Sequence, residues 1–259
     1  MPLINYIGNR QESLELGAGA GRVQRGPAPP PPPLTIDYLV VGGGAAGQGT
    51  SNPGGSAGGI RSGSAVTMSF NTTLDIVVGA GGITGSRNGF SSSISSSTLG
   101  FFGAGGATGN SGQPTEFSQG TSGPGTPIPQ GGGAGSSQNG VNAVLGASGN
   151  GGNGSVWVNG IYYAGGGGGN GGGAPGLPGL GGGGTAQTGF DGDGVPYQLN
   201  GVNGLGGGAA SSGTSGGSGS VIIRYSTGSL RMAQGGTQFE SGGYFYHQFT
   251  GSGTLFYGY

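Results

Sequence analysis

An apolar stretch, residues 36–41, runs directly into Gly42-x-Gly44-x-x-Gly47. At that spacing a strand-to-helix turn holds a dinucleotide, one glycine making the tight turn, one admitting the pyrophosphate and one packing the helix. The chemistry needs a helix N-terminus behind the glycines, whose amides face the phosphates. The sequel here is "QGTSNPGGSAGG" (48–59), in which Pro53 and five glycines exclude a helix. The acidic residue that should follow by about 20 positions is also missing; the next is Asp75. The same strand-to-glycine step recurs at 77–82, which marks it as architecture. No dinucleotide site and no other cofactor is expected.

Other residue types with chemical potential are equally sparse. There is no Cys, which removes disulfides, thiolate metal sites and Cys nucleophiles together. His247 is the only histidine, so no multi-His metal site can form; in an aromatic strand it reads as a hydrogen-bonded or interfacial group. Asp191 and Asp193 in "FDGDGVPY" imitate the start of a calcium loop, but the third oxygen donor and the terminal Glu are absent. Asn71-Thr72-Thr73 and Asn153-Gly154-Ser155 match glycosylation sequons, which carry little weight without an export signal. With no paired carboxylates and no triad, the expectation is a protein that is not an enzyme. What remains is aromatic: Tyr244, Tyr246, His247, Tyr257 and Tyr259, in the last 25 residues, are the candidates for contact with a receptor or partner, by stacking on sugars or packing at a subunit interface.

The elements that would carry these residues are set by composition. Of 259 residues 74 are Gly, against an average near 7%. Only 6% are charged, the net charge is −1, and Lys is absent. Nothing here would hold nucleic acid, an anionic membrane or, without Lys, a P-loop phosphate. No run approaches the 18 or so apolar residues of a membrane span, so no membrane insertion is expected.

Along the chain, residues 1–26 form a charged arm, and 27–34 ("PAPPPPPL") a polyproline II spacer. From 35 to 225 one theme repeats, a short apolar strand ending in a glycine tract: 36–44, 74–82, 100–106, 155–169 and 220–225. Val156–Val158 and Ile161–Tyr163 around Asn159-Gly160 predict a hairpin with a type I′ turn. A tract such as "GGGGGNGGG" (165–173) has no side chains for a core. As polyglycine II, an extended three-fold helix, it can bond sideways to its neighbours, backbone to backbone, at a spacing only Gly permits. Residues 226–259 read as a small aromatic β-hairpin module, with strands 244–249 and 254–257 flanking "TGSG". Alternation puts Tyr244, Tyr246 and Gln248 on one face, and Phe245, His247 and Phe249 on the other. The predicted fold is all-β and irregular, with short strands, polyglycine II helices packed in a slab, and little or no α-helix.

The ordered series Asp37-Tyr-Leu-Val-Val-Gly-Gly-Gly44, Val78-Gly-Ala-Gly-Gly82, Tyr162-Tyr-Ala-Gly-Gly-Gly-Gly-Gly169 and Gly217-Ser-Gly-Ser-Val-Ile-Ile-Arg-Tyr225 resembles the glycine-rich domains of bacteriophage tail, neck and fibre proteins. The C-terminal "GGTQFESGGYFYHQFTGSGT" is similar to strands that normally precede such a domain in that family. The resemblance covers 35–259. It implies a virion protein, assembled in the host cytoplasm as a fibre component and often homotrimeric, possessing polyglycine II packing. Its partners would be other virion proteins, met through Tyr6, Arg10, Glu12 and Glu15 of the arm, and a host-surface glycan or protein. A stand-alone glycine-rich protein binding ice, glycan or cell wall is the alternative, and a dinucleotide enzyme a distant third.

Overall fold

Twelve strands, all paired antiparallel, build the side-chain core in a computed structural model that describes residues 31–47, 53–84, 86–96, 100–104, 121–123, 128–171, 174–186, 200–210, 214–229 and 232–258. They are β1 (Leu34–Val41), β2 (Ile60–Met68), β3 (Thr72–Val77), β4 (Ser92–Ser96), β5 (Gly100–Ala104), β6 (Ser155–Val156), β7 (Tyr162–Tyr163), β8 (Ser220–Ser226), β9 (Ala233–Gln234), β10 (Thr237–Ser241), β11 (Tyr244–Phe249) and β12 (Gly253–Tyr257). The first sheet has the order β10-β11-β8-β1-β2, the second β5-β4-β3-β12-β9, and β6 and β7 form the expected hairpin. Its turn is not the expected type I′, because Gly160 has a positive φ (79°) and Asn159 does not; the Gly160 N–H instead closes on the Trp157 carbonyl in a three-residue loop. No α-helix occurs among the described residues. Pro32–Tyr259 is one compact unit.

The two five-stranded sheets share a core. Leu34, Ile36, Tyr38 and Val40 of β1 and Val221, Ile223 and Tyr225 of β8 meet Leu74 and Ile76 of β3, Ile94 of β4, and Leu255 and Tyr257 of β12. Strand β3 alternates buried and exposed, as a strand with one solvated face should. The middle of the first sheet is different. On its far side Leu39, Val41 and Ile222 pack against Trp157, Tyr163, Ala57 and Ala164. Burial on both faces is why β1 and β8 read as unbroken apolar runs, "YLVV" and "VII".

Past the strand ends the two sheets continue as something tighter. Packed sheets stand about 10 Å apart to make room for side chains, yet residues 42–47, leaving β1, bond directly to segments leaving both sheets. Gly42 and Ala45 donate to Gly59 and Ser56, Gly43 and Ala46 to Phe90 and Arg87, and Gly44 and Gly47 to Gly217 and Thr214. Each neighbour is addressed once every three residues, the repeat of a three-fold polyglycine II helix. Ser92 sits where the sheets converge: its buried hydroxyl donates to the Val41 carbonyl (2.7 Å) and accepts the Gly79 N–H (2.9 Å).

The same arithmetic extends through the glycine tracts into a triangular lattice. The segment 164–169 lies inside it, exchanging backbone bonds with 54–57, 133–136, 149–152, 176–179, 181–184 and 205–208. Six neighbours leave no room for a side chain on any side, and residues 165–169 of this segment are the chain's longest glycine run. At a margin the demand relaxes. In "GAPGLPGL" Gly176 and Gly179 are buried while Leu177 and Leu180 are exposed, so glycine recurs only where a neighbour presses. The requirement is space rather than backbone freedom. None of Gly165 to Gly169 has a left-handed φ, but a methyl at Gly167 would be driven into the Ala209 carbonyl, and one at Gly166 into that of Gly133.

Lattice margins carry a recurring device. Gly151 donates to the Leu177 carbonyl (2.8 Å) while the Leu177 N–H returns to Asn150 Oδ1 (2.8 Å). Asn153-Gly154 holds Leu180, Asn200-Gly201 holds Ser215, and Asn203-Gly204 holds Ser218 in the same reciprocal way. Asn142-Ala143 does so with Thr121. The amide oxygen replaces the carbonyl that a further lattice helix would have supplied.

One expectation is corrected. Strands 244–249 and 254–257 do not pair with each other: β11 joins the first sheet beside β8, and β12 the second beside β3. The hairpin is β10–β11, turning at Gly242-Gly243, both with positive φ. Residues 250–252 cross between the sheets, and Ser252 Oγ accepts the Val78 N–H (3.0 Å) at the crossing. The crossing lets β11 and β12 add apolar side chains to one shared core, which a free-standing hairpin could not bury. The C-terminal strands are therefore integral to the sandwich; Tyr257 Oη even donates to the Pro32 carbonyl (2.7 Å).

Candidate interaction surface

Across the first sheet, one line of residues crosses all five strands. Phe239 on β10 stacks on Tyr246 of β11, ring centres 4.9 Å apart and nearly parallel. The Tyr246 hydroxyl meets Arg224 Nη1 of β8 at 3.3 Å, and Arg224 Nε donates to Asp37 Oδ2 of β1 at 3.0 Å. Asp37 Oδ1 accepts the Ala65 N–H (3.1 Å) from β2, where a register irregularity and a left-handed Ala65 (φ 55°) turn that amide toward it. Register makes the line inevitable, since Asp37, Arg224, Tyr246 and Phe239 stand directly opposite one another.

The guanidinium is fixed from several sides. The Tyr244 ring lies 3.9 Å from it and the Trp157 ring 5.6 Å, while Trp157 meets Tyr246 edge-on. Burial works against its charge, but the bonds to Tyr246 and Asp37 outweigh that and hold its pKa above the ordinary arginine range. Beside it the β6–β7 hairpin presents Val156, Val158, Ile161 and Tyr162 to solvent. Asn159 braces that turn, donating to Tyr163 Oη (2.9 Å) and accepting the Ile161 N–H. The Tyr163 phenol is pushed above its usual 10.0 by burial, against the lowering effect of the Asn159 bond.

The candidate contact residues fall into different places. Tyr244 is half-buried and lines this surface. Tyr246, His247 and Tyr257 are buried in the chain's own core, so none of the three offers a ring to a ligand. His247 stacks on Tyr225 and its Nδ1 lies 2.7 Å from the Gly235 carbonyl. The predicted two-face alternation of 244–249 is observed: Tyr244 and Tyr246 face Trp157, and Phe245 and Phe249 face the inter-sheet core. Tyr259, the arm residues Tyr6, Arg10, Glu12 and Glu15, and Asp191 and Asp193 lie outside the described residues.

Sequence reasoning overlooked Arg224, Asp37, Trp157 and Phe239. The available signal was a lone opposite charge in each of two apolar strands, "TIDYLVV" and "SVIIRY", since a charge there must find a partner. Chemically the surface supplies aromatic faces, apolar tips and one immobilised cation. Among the described residues no group of three His, Cys, Asp or Glu could hold a metal ion. No described helix is long and apolar enough to cross a membrane.

Comparison with known proteins matches none of the curated sequences and none of the solved structures. A family model described as "Glycine-rich domain" matches residues 27–226, the greater part of the chain. Those residues span the β1-to-β8 strands and the whole described lattice, and the chain belongs to this glycine-rich domain family.

Proposed function

We propose that this chain is a non-enzymatic structural protein of a bacteriophage virion, a tail or neck fibre component whose glycine lattice is a rigid body. The observation that carries the reading is the lattice itself. Segment after segment is cross-bonded through its own backbone, which stiffens the chain while leaving few side chains for chemistry. On this reading residues 1–26, with Tyr6, Arg10, Glu12 and Glu15, dock the chain on other virion proteins, and the body assembles as a homotrimer. The partly exposed aromatics Tyr244 and Phe239, beside Arg224, then face a host-surface glycan or protein.

The test is incorporation into particles. Purified virions should contain the chain, and deletion of residues 1–26 should remove it from them while the deleted protein, made alone, keeps the native Trp157 emission and protease resistance. A deleted chain that still enters particles at the wild-type level refutes the docking role. Absence of the intact chain from virions refutes the whole reading.

A further inference from the structure

The reciprocal Asn-Gly pairing at the lattice margins is a recognition device that ignores side chains. It reads one N–H and one C=O of an extended neighbour, and the residues held are Leu177, Leu180, Ser215 and Ser218, two apolar and two polar. What the held segments share is polyproline II character, "APGLPGL" and "SGGSGS".

One further pair of this kind, Asn88-Gly89, stands on the lattice segment 86–90 and holds none of the described residues. That segment is anchored on its other sides: Ala46 donates to the Arg87 carbonyl, Gly43 to that of Phe90, and Phe90 donates to Ala80. A methyl at Gly89 would be driven into the Gly43 carbonyl, so the close approach on the inner side is the lattice kind. Asn88 is exposed, and neither its amide nor the Gly89 N–H has a hydrogen-bond partner among the described residues. Phe90, 57% exposed, flanks the pair.

We propose that Asn88-Gly89 is an open clamp that takes one residue of a Gly/Pro-rich partner segment in polyproline II conformation. Gly89 N–H donates to the carbonyl of the held residue, and Asn88 Oδ1 accepts its N–H. Phe90 covers an adjacent proline ring. The held residue must itself be other than proline, because it has to donate. The occupied clamps define the occupant, a segment of collagen-like composition such as the one that carries Leu177 and Leu180. This inference is independent of the virion reading.

The test uses the full chain, labelled with nitrogen-15, and a nine-residue peptide with the sequence of residues 173–181, "GAPGLPGLG". Titration to millimolar concentration should shift the Gly89 amide and the Asn88 side-chain amide in a saturable way. An acetylated peptide of nine prolines, which keeps the polyproline II conformation but has no N–H to donate, should bind about two- to tenfold more weakly, the loss of one hydrogen bond. N88A should lose the response and N88D, which keeps the acceptor, should retain it. No shift at Gly89, an equal shift in N88A, or equal binding of the all-proline peptide each overturns the proposal.

Discussion

Replacing Gly167 by Ala tests the lattice at one of its most crowded points. The added methyl would collide with the Ala209 carbonyl and lie 2.9 Å from the Ala210 nitrogen, so the surrounding segments must part. Parting them strains the Gly167-to-Gly55, Gly133-to-Gly167 and Gly208-to-Gly165 bonds, which hold the segment in place. Overpacking alone costs about 1–3 kcal/mol, and each buried backbone group left unpaired adds about 1–3 kcal/mol. With two such groups the loss is about 3–9 kcal/mol, a large part of the roughly 5–15 kcal/mol of an ordinary domain. At about 2–4 °C per kcal/mol for a chain of this size, the melting temperature should fall by at least ~6 °C. Gly251 is the control: nothing lies within 4 Å of its added methyl and its φ is not left-handed. Gly251→Ala should therefore be neutral or stabilising by about 0.5 kcal/mol, through the unfolded chain. Denaturant titrations followed by the emission of Trp157, the single tryptophan and buried against Tyr246, measure both. If Gly167→Ala proves as harmless as Gly251→Ala, backbone contact is not what the glycines are for.

Ala65 holds a left-handed φ on an exposed edge strand, so Ala65→Gly should raise stability by about 1 kcal/mol in the same titration. Ser56 Oγ is buried without a hydrogen-bond partner; Ser56→Ala should leave stability unchanged or raise it by about 1 kcal/mol, and a loss would mean the hydroxyl is bonded. Tyr163, with its folded pKa raised above 10.0, stabilises the fold fully below pH 10 and loses that contribution as pH rises through the folded pKa. Stability should thus decline above about pH 10, and Tyr163→Phe should flatten that decline while costing the Asn159 bond at neutral pH. Asp37→Asn removes the ionic partner of Arg224 and should cost about 1–2 kcal/mol, with a change in Trp157 emission as the guanidinium shifts.

Much of this architecture could be read in advance where local chemistry decides it. The hairpin at Asn159-Gly160, though not its turn type, the apolar strands β1 and β8 and the alternation of 244–249 all follow from residue types over a few positions. So did polyglycine II, because "GGGGG" can do little else if ordered. Strands β2, β4 and β10 escaped notice. They are rich in Ser, Thr and Gly, and β2 and β10 are largely exposed edge strands with little apolar pattern to betray them. The path of 250–252 between sheets was invisible as well, since it depends on which core has room for Leu255 and Tyr257. The aromatic site was half legible: the tyrosines were noticed, but their burial is a property of neighbours distant in sequence. Only a charge-pairing argument over nearly two hundred residues would have joined Asp37 to Arg224.

The lattice also governs how this protein should respond to cold. Its interior is peptide groups, with small side chains such as Ala45, Ala46, Ala209 and Ala210 in place of large hydrocarbon ones. Unfolding that part exposes polar amides, which lower the heat capacity, instead of hydrocarbon, which raises it. The heat-capacity change per residue should then fall below the usual ~12–15 cal/mol/K, and the curve of stability against temperature should be flatter. A body held this way keeps its rigidity on cooling, where hydrophobic cores weaken.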